Sequence, residues 1–343
     1  MKMNAIGMVS TGIYLPKKRM TSNELANETG IPLHVVEEKM GIKEKTLPGD
    51  EDHTALMGIH AAKRAIKKAM IDPKEIDLVI YIGEEHKEYP LWTAGIKLQH
   101  EIGANNAWAF DTALRCGTTI MALKLAKDMM TADDEINIVL LAGGYRNVDF
   151  INYQNPKTRF MFNLGAGGGA IILRKGYERN QLLGTHLITD GSFSEDVVIP
   201  VGGTKSPITQ DTLAAGHYQF DVLDPQRMKQ RLAEKSMKNF IICIEKALAK
   251  SGYSKQDIDY VALLHMKRSA HYCVLDQLGV ARDKSIYLED YGHIGQMDQI
   301  LSLELAEQQG KLKDGAIVVL VSAGIGYAWG ANVIKWGKTK EDM

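Results

Sequence analysis

The chain has 343 residues, 45% of them hydrophobic and 24% charged, with 41 Lys and Arg against 42 Asp and Glu. This is the composition of a globular protein of two ordinary domains or one fused pair, and a net charge of −1 gives no electrostatic reason to expect nucleic acid or an anionic membrane as partner. No apolar run approaches the roughly 20 residues that span a bilayer; Cys116, Cys243 and Cys273 lie too far apart for a disulfide framework or metal-ligand spacing, so a reducing cytoplasm and no metal are expected.

In chain order, MKMNAIGMVSTGIYLP enters a strand rather than the apolar core of a signal peptide. TSNELANETG offers Thr21 or Ser22 as a helix cap and Gly30 as the stop. Residues 54–70 place Leu56, Ile59, His60, Ala62 and Ile66 at helical spacing, and LVIYIG at 78–83 is the short apolar run of a buried parallel strand. WAFDTA at 108–113 reads as a strand, 117–130 as a helix and INIVLLAGG as the next strand. Residues 187–225 are polar and punctuated by Gly and Pro, either a surface linker or a functional cap. Beyond them the pattern predicts helix 228–251, strand 258–264, a helix near 267–278, strand 284–288, helix 295–309 and strand 316–322. Strands alternating with helices predict largely parallel sheets covered on both faces.

The two halves echo each other. AIKKAMIDPKEIDLVIYIG at 65–83 aligns without a gap on ALAKSGYSKQDIDYVALLH at 247–265, and NLGAGGGAIIL at 163–173 echoes SAGIGYAWGANVI at 322–334. The chain is thus read as a duplicated α/β unit, with halves at 1–174 and 175–343. The join between such halves is a preferred place for chemistry. Cys116 lies where a strand turns into a helix, so its thiol meets the positive end of a helix dipole, which favours the nucleophilic thiolate; Gly117 beside it leaves room for a substrate. His265 ends the strand YVALLH, at the edge where parallel sheets place ligands. His293, between glycines in DYGHIGQMDQ, precedes a helix. Each residue alone is as readily a core or loop residue. A thiol and two imidazoles brought to one cleft form an acyl-transfer constellation. Glu84 and Glu85 follow the strand LVIYIG, where a carboxylate is either a general base or part of a solvated loop. Tyr89, Pro90 and Trp92 make that segment aromatic, and the Gly-rich loop GIGYAWG has backbone N–H groups that can face an oxyanion.

These motifs together resemble the ketoacyl synthase III branch of the thiolase-like superfamily over nearly the whole chain: GMVSTGIYLP…TSNEL, GIKEK, HTALMGIHAAKRAI, FNLGAGGGAIIL and GIGYAWGANVIKW follow its order. The resemblance implies the duplicated, five-layered αβαβα thiolase-like fold. It implies that Cys116 accepts an acyl group from a thioester, and that His265 and His293 bind a malonyl-type thioester and stabilise the enolate left by decarboxylation. Main-chain N–H groups of Cys116 and Ile325 would form the oxyanion hole, and Tyr89, with Trp92 nearby, would line the acyl pocket across a homodimer interface. Coenzyme A or phosphopantetheine thioesters would be substrates, an acyl-CoA or acyl carrier protein the partner, and no cofactor would be needed.

The chain departs from that pattern in four places. His293 stands where Asn is usual. His265-Met266-Lys267-Arg268 replaces His-Gln-Ala-Asn and adds two cations suited to a phosphate or a carboxylated substrate. Val35 and Val36 stand where an adenine-stacking tryptophan is expected, and Ile325 replaces an oxyanion-loop glycine. Two rival readings follow: a 3-hydroxy-3-methylglutaryl-CoA synthase-like condensation with Glu85 as base, and a non-catalytic partner subunit that keeps the fold.

Overall fold

The computed structural model describes residues 5–338; the outermost residues of the two expected halves, 1–4 and 339–343, lie outside them. Nine strands carry the architecture: β1 (Ile6–Tyr14), β2 (Leu78–Tyr81), β3 (Trp108–Asp111), β4 (Ile138–Tyr145), β5 (Gly167–Lys175), β6 (Gln181–Thr189), β7 (Ile258–Leu263), β8 (Ile317–Gly324) and β9 (Ala328–Lys335). Six helices cover them: α1 (Thr54–Ala69), α2 (Ala94–Ile102), α3 (Thr118–Ala132), α4 (Pro225–Lys250), α5 (Arg268–Leu278) and α6 (Asp298–Gln308). The short helix Ser22–Thr29 starts on Thr21, whose side chain and backbone form a capping box with Glu24, and stops at Gly30 with φ 67°.

The strands run in the order β7-β8-β9-β6-β1-β5-β4-β2-β3. This is the duplication made visible: β1-β5-β4-β2 matches β6-β9-β8-β7, and the two series touch at one ladder pair, Gly7 with Gln181. The sheet is mixed, which corrects the largely parallel arrangement expected from alternation. Among the described residues only β2–β3, β2–β4 and β7–β8 pair in parallel, whereas β4–β5 and β8–β9 are antiparallel neighbours in both chain and sheet; residues 325–327 join the second pair by a tight turn, and residues 146–166 return the chain in the first without a crossover α-helix. The expected strand at 284–288 is also corrected. Its residues join no ladder, and Ser285 hangs from β7 through its Oγ, 2.7 Å from the Val261 carbonyl.

Period-two burial sorts the side chains into layers. Leu78 and Ile80 of β2 and Leu141 of β4 point inward, as do Val318 and Leu320 of β8, and all pack on Ile120, Leu123 and Met130 of α3 and Ile300 and Leu303 of α6. Val79, Leu140 and Ile172 face the other way onto Ile59, Ile66 and Leu98 of α1 and α2. Val261, Val319 and Val333 likewise face Ile244, Leu248 and Val274 of α4 and α5. Helix, sheet, helix, sheet and helix thus stack as five layers, and burial of each such aliphatic side chain contributes roughly 1.5–3 kcal/mol. Residues 187–225 form a cover rather than a free linker: Phe193 and Val222 are fully buried, and Phe220 packs its ring 5.7 Å from that of Phe150.

Candidate active site

β3 ends at Asp111, and the chain turns through Arg115–Gly117 into α3, so Cys116 sits at the helix entrance. Arg115 adopts φ 50°, a left-handed backbone uncommon outside glycine. The end of β8 passes directly behind Cys116: a Cβ on Gly324 would lie 2.8 Å from the Leu114 carbonyl and 3.1 Å from the Cys116 nitrogen, so only glycine fits there. Ser322 Oγ donates to the Cys116 carbonyl at 2.6 Å. A Cβ on Gly117 would lie 3.5 Å from the Leu114 side chain and 4.0 Å from Ala328, ordinary contact distances.

His293 closes on the thiol from the other half of the chain. Its Nε2 is 3.1 Å from Cys116 Sγ and its Nδ1 is 2.5 Å from Asp298 Oδ2. Asp298 is fully buried at the start of α6 and also accepts from the Ile294 N–H at 2.8 Å and the His265 N–H at 2.6 Å. Burial would lower the His293 pKa, but the Asp298 carboxylate and the Cys116 sulfur outweigh it and hold the imidazole well above its usual range. The His293 loop is locked to the first half: Gly165 N–H donates to the His293 carbonyl and His293 N–H to the Asn163 carbonyl, both at 2.8 Å. The 162–165 turn is itself held by the buried Lys45 ammonium on the Phe162 and Leu164 carbonyls.

His265 follows β7 and is fully committed. Its Nε2 lies 3.2 Å from the Gly41 carbonyl, which can only accept, so Nε2 carries the proton and Nδ1 accepts from Asn163 Nδ2 at 3.1 Å. Burial drives its pKa down to about 4, in keeping with a neutral ring.

Cys116, His265 and His293 line one cavity of about 590 Å³, walled by Met161, Leu164, Phe220, Met228, Leu232, Phe240, Leu264 and Tyr327. That is the size and apolar character of a small-molecule site. Ile325 lines it beside Cys116, as does Lys267, and Lys39 and Arg159 add two further exposed cations. Val35 is also in the wall.

Several expected residues are placed elsewhere. Arg268 turns away from the cavity, pairing with Glu289 at 2.5 Å and lying over the Tyr287 ring. Tyr89 and Trp92 pack edge to face on each other at 5.6 Å and do not line this cavity; Tyr89 is 66% exposed. Glu85 points outward to the Arg115 guanidinium at 2.6 Å, so the carboxylate that faces the cavity is Glu84, 3% exposed, whose Oε1 has no hydrogen-bond partner among the described residues. Burial raises the Glu84 pKa against the pull of Arg115. The signal was strand parity: Ile80, Ile82 and Glu84 fall on one face, Glu85 on the other. Asp298 and Asn163 were missed outright. Asp298 was detectable as an acidic residue five positions after His293 in the first turn of a helix; Asn163 carried no such signal.

Residues 110–191 match the family model for 3-oxoacyl-[acyl-carrier-protein] synthase III, and residues 248–336 match the model for its C-terminal part. A beta-ketoacyl-[acyl-carrier-protein] synthase III of Clostridium acetobutylicum is 29% identical over 338 residues, which is 98% of this chain and 100% of the relative. The chain is a ketoacyl synthase III-like protein of the thiolase fold. Among solved structures, the 3-oxoacyl-(acyl carrier protein) synthase III of Pseudomonas aeruginosa superposes with a TM-score of 0.83 at 19% identity, covering 97% of this chain and 99% of that one. The priming beta-ketosynthase of the R1128 polyketide pathway gives 0.82, also at 19% identity, with 98% of each chain covered.

One further histidine, with His265, contributes to the acid sensitivity of this synthase III-like protein. His271 is buried on α5 with Nε2 3.2 Å from Ser285 Oγ, and burial, with help from His265 and Arg268, drives its pKa down to about 3. The unfolded chain therefore binds a proton that the folded chain refuses between about pH 6.5 and pH 3. Stability is full above that window and falls as pH drops through it, by about 1.4 kcal/mol per pH unit for this group. His271→Leu is expected to flatten the slope by one proton. Urea melts at pH 7, 6 and 5 measure it; equal slopes in the two proteins would remove His271 as the cause.

Proposed function

We propose that this protein is an acyltransferase that performs decarboxylative Claisen condensation through an acyl-Cys116 intermediate. The observation that carries the reading is the line Cys116–His293–Asp298 at the wall of an apolar cavity. His293 holds the thiol proton, so that Sγ attacks an acyl thioester as the thiolate; the proton then passes to the departing thiolate, and the Cys116 and Ile325 N–H groups receive the oxyanion. A malonyl-type thioester then enters. Its carbonyl takes the His265 Nε2–H in place of the Gly41 oxygen, and His293, after taking a proton from solvent, is a second donor, charged where an asparagine amide would be neutral. Loss of CO₂ leaves an enolate whose carbon attacks the acyl-Cys116 carbonyl, and expulsion of the thiolate gives a 3-oxoacyl thioester.

Lys39, Arg159 and Lys267 suit the phosphate of a phosphopantetheine arm, on coenzyme A or on an acyl carrier protein of the kind that the relatives' names contain. Tyr89 and the fully exposed Leu91 suit a homodimer in which each protomer covers the other's acyl site. Among the described residues no helix is long and apolar enough to cross a membrane; the cytoplasm is the proposed location.

The buried Glu84 supports one alternative, a 3-hydroxy-3-methylglutaryl-CoA synthase-like condensation in which that carboxylate, rather than Glu85, is the base. Isotope tracing separates the two. Acyl-enzyme given malonyl thioester labelled at its free carboxylate should release one labelled CO₂ per product. Product from acetyl-CoA and acetoacetyl-CoA without malonyl thioester, lost in Glu84→Gln, would replace the first reading with the second.

A further inference from the structure

In the condensation proposed above, the carbon nucleophile arises by loss of CO₂, so hydrogen-bond donors suffice once Cys116 is acylated. The chain nevertheless places a complete base beside the acyl carbon. His293 Nε2 is 3.1 Å from Sγ, and Nδ1–H is held by a carboxylate that is wholly buried and fixed by two further N–H donors. The Tyr145 ring packs 5.9 Å from the imidazole, and Gly295, with φ 62°, makes room for it, since a Cβ there would lie 2.1 Å from that ring. The imidazole therefore has one orientation, with Nε2 toward the cavity. We propose that Cys116, His293 and Asp298 form an acyl-transfer triad with a second activity: discharge of the acyl group from Cys116 to an O–H or N–H nucleophile. This rests on the acyl-Cys116 reading but not on decarboxylation.

The step balances without any redox partner. On acylation the imidazolium gives its proton to the departing thiolate, which leaves Nε2 bare and Nδ1–H on Asp298. An alcohol, amine or water entering the cavity passes its proton to Nε2 as its oxygen or nitrogen bonds to the acyl carbon. The C–S bond breaks, and the proton returns to Sγ. The net change converts a thioester and H–X into an ester, amide or acid and a thiol. The geometry is that of a nucleophile, base and orienting carboxylate, the arrangement recognised by roles rather than by sequence position.

The protonation state of His293 then divides the two activities. Protonated, it is a donor for the enolate; bare, it is a base for H–X. The titratable groups around it are Asp298 on α6, Cys116 at the entrance to α3, His265 after β7 and Tyr145 at the end of β4. Discharge should rise with pH while condensation falls, through one shared ionisation.

The test loads the full chain with acetyl-CoA, removes the excess, and chases with buffer alone, glycerol or ethanolamine. Intact mass follows acyl-Cys116, and the product is identified as acetate, ester or amide. The expected result is discharge about 100-fold faster in wild type than in His293→Asn, the range a general base contributes, rising with pH. The product identity tells which nucleophile is used. An acyl-enzyme that decays equally slowly in wild type and His293→Asn in every chase overturns the triad activity while leaving the condensation reading intact. Failure to form any adduct, from acyl-CoA or acyl carrier protein, sinks both.

Discussion

Cys116→Ala is expected to abolish the acyl adduct and to lower turnover by on the order of 10⁴-fold or more, as loss of a nucleophile does where the whole route passes through it. The fold should survive. Cys116 is small and 9% exposed, alanine fits the same turn, and the Gly324 contact behind it involves backbone rather than the sulfur. The other thiols give the experiment its internal control. Cys243 is sealed in the outer core, where burial pushes its pKa up to about 12, so it is no competitor for acylation. Cys273 is only partly buried, and peptide mapping separates it from Cys116. An adduct of equal size and rate in Cys116→Ala would take the nucleophile's role away from this residue.

Asp298→Asn carries the second largest expected effect, a fall in the rate of acyl-enzyme formation on the order of 10²–10⁴-fold, by analogy with loss of the orienting carboxylate from a catalytic triad. An amide can no longer hold Nδ1–H and accept from the main chain in the same geometry. It also removes the charge that opposes burial and keeps the His293 pKa high. The pH profile of acylation should therefore move its His293 limb to lower pH as well as lose height. Asp298→Ala should in addition destabilise the chain, because the His265 and Ile294 N–H groups and the His293 ring lose a buried acceptor at about 1–3 kcal/mol each. A profile with unchanged position and height in Asp298→Asn would reduce Asp298 to a structural cap.

Much of this was legible in the chain because it is local or periodic. The two I-D-hydrophobic-Val strands became β2 and β7, equivalent members of the duplicated sheet. The strand-to-helix turn at Cys116 followed from residues within a few positions of it. What the residues hid is long-range. That β4 and β5 pair antiparallel depends on a return through 146–166 that contains no α-helix, which alternation alone does not specify. The 284–288 segment has strand composition, yet its counterpart β3 forms a ladder and it does not. The ring nitrogens of His265 are decided by Gly41 and Asn163, 224 and 102 residues away, and no spacing rule anticipates such partners. Arg268 read as a free cation until Glu289 and Tyr287 claimed it. Glu84 was the avoidable miss, since counting alternate residues from Ile80 would have separated it from Glu85.

The Cys116 thiol and the His293 imidazole lie 177 residues apart in sequence, one in each of two halves whose strands meet at one ladder pair. During synthesis the nucleophile emerges long before its base, and Asp298 later still. A nascent or half-folded chain thus holds an unassisted cysteine among plentiful cellular thioesters, without the group that would let it consume them. On the proposed mechanism acylation requires the two halves to have closed on each other, so its recovery during refolding should be the last signal to return.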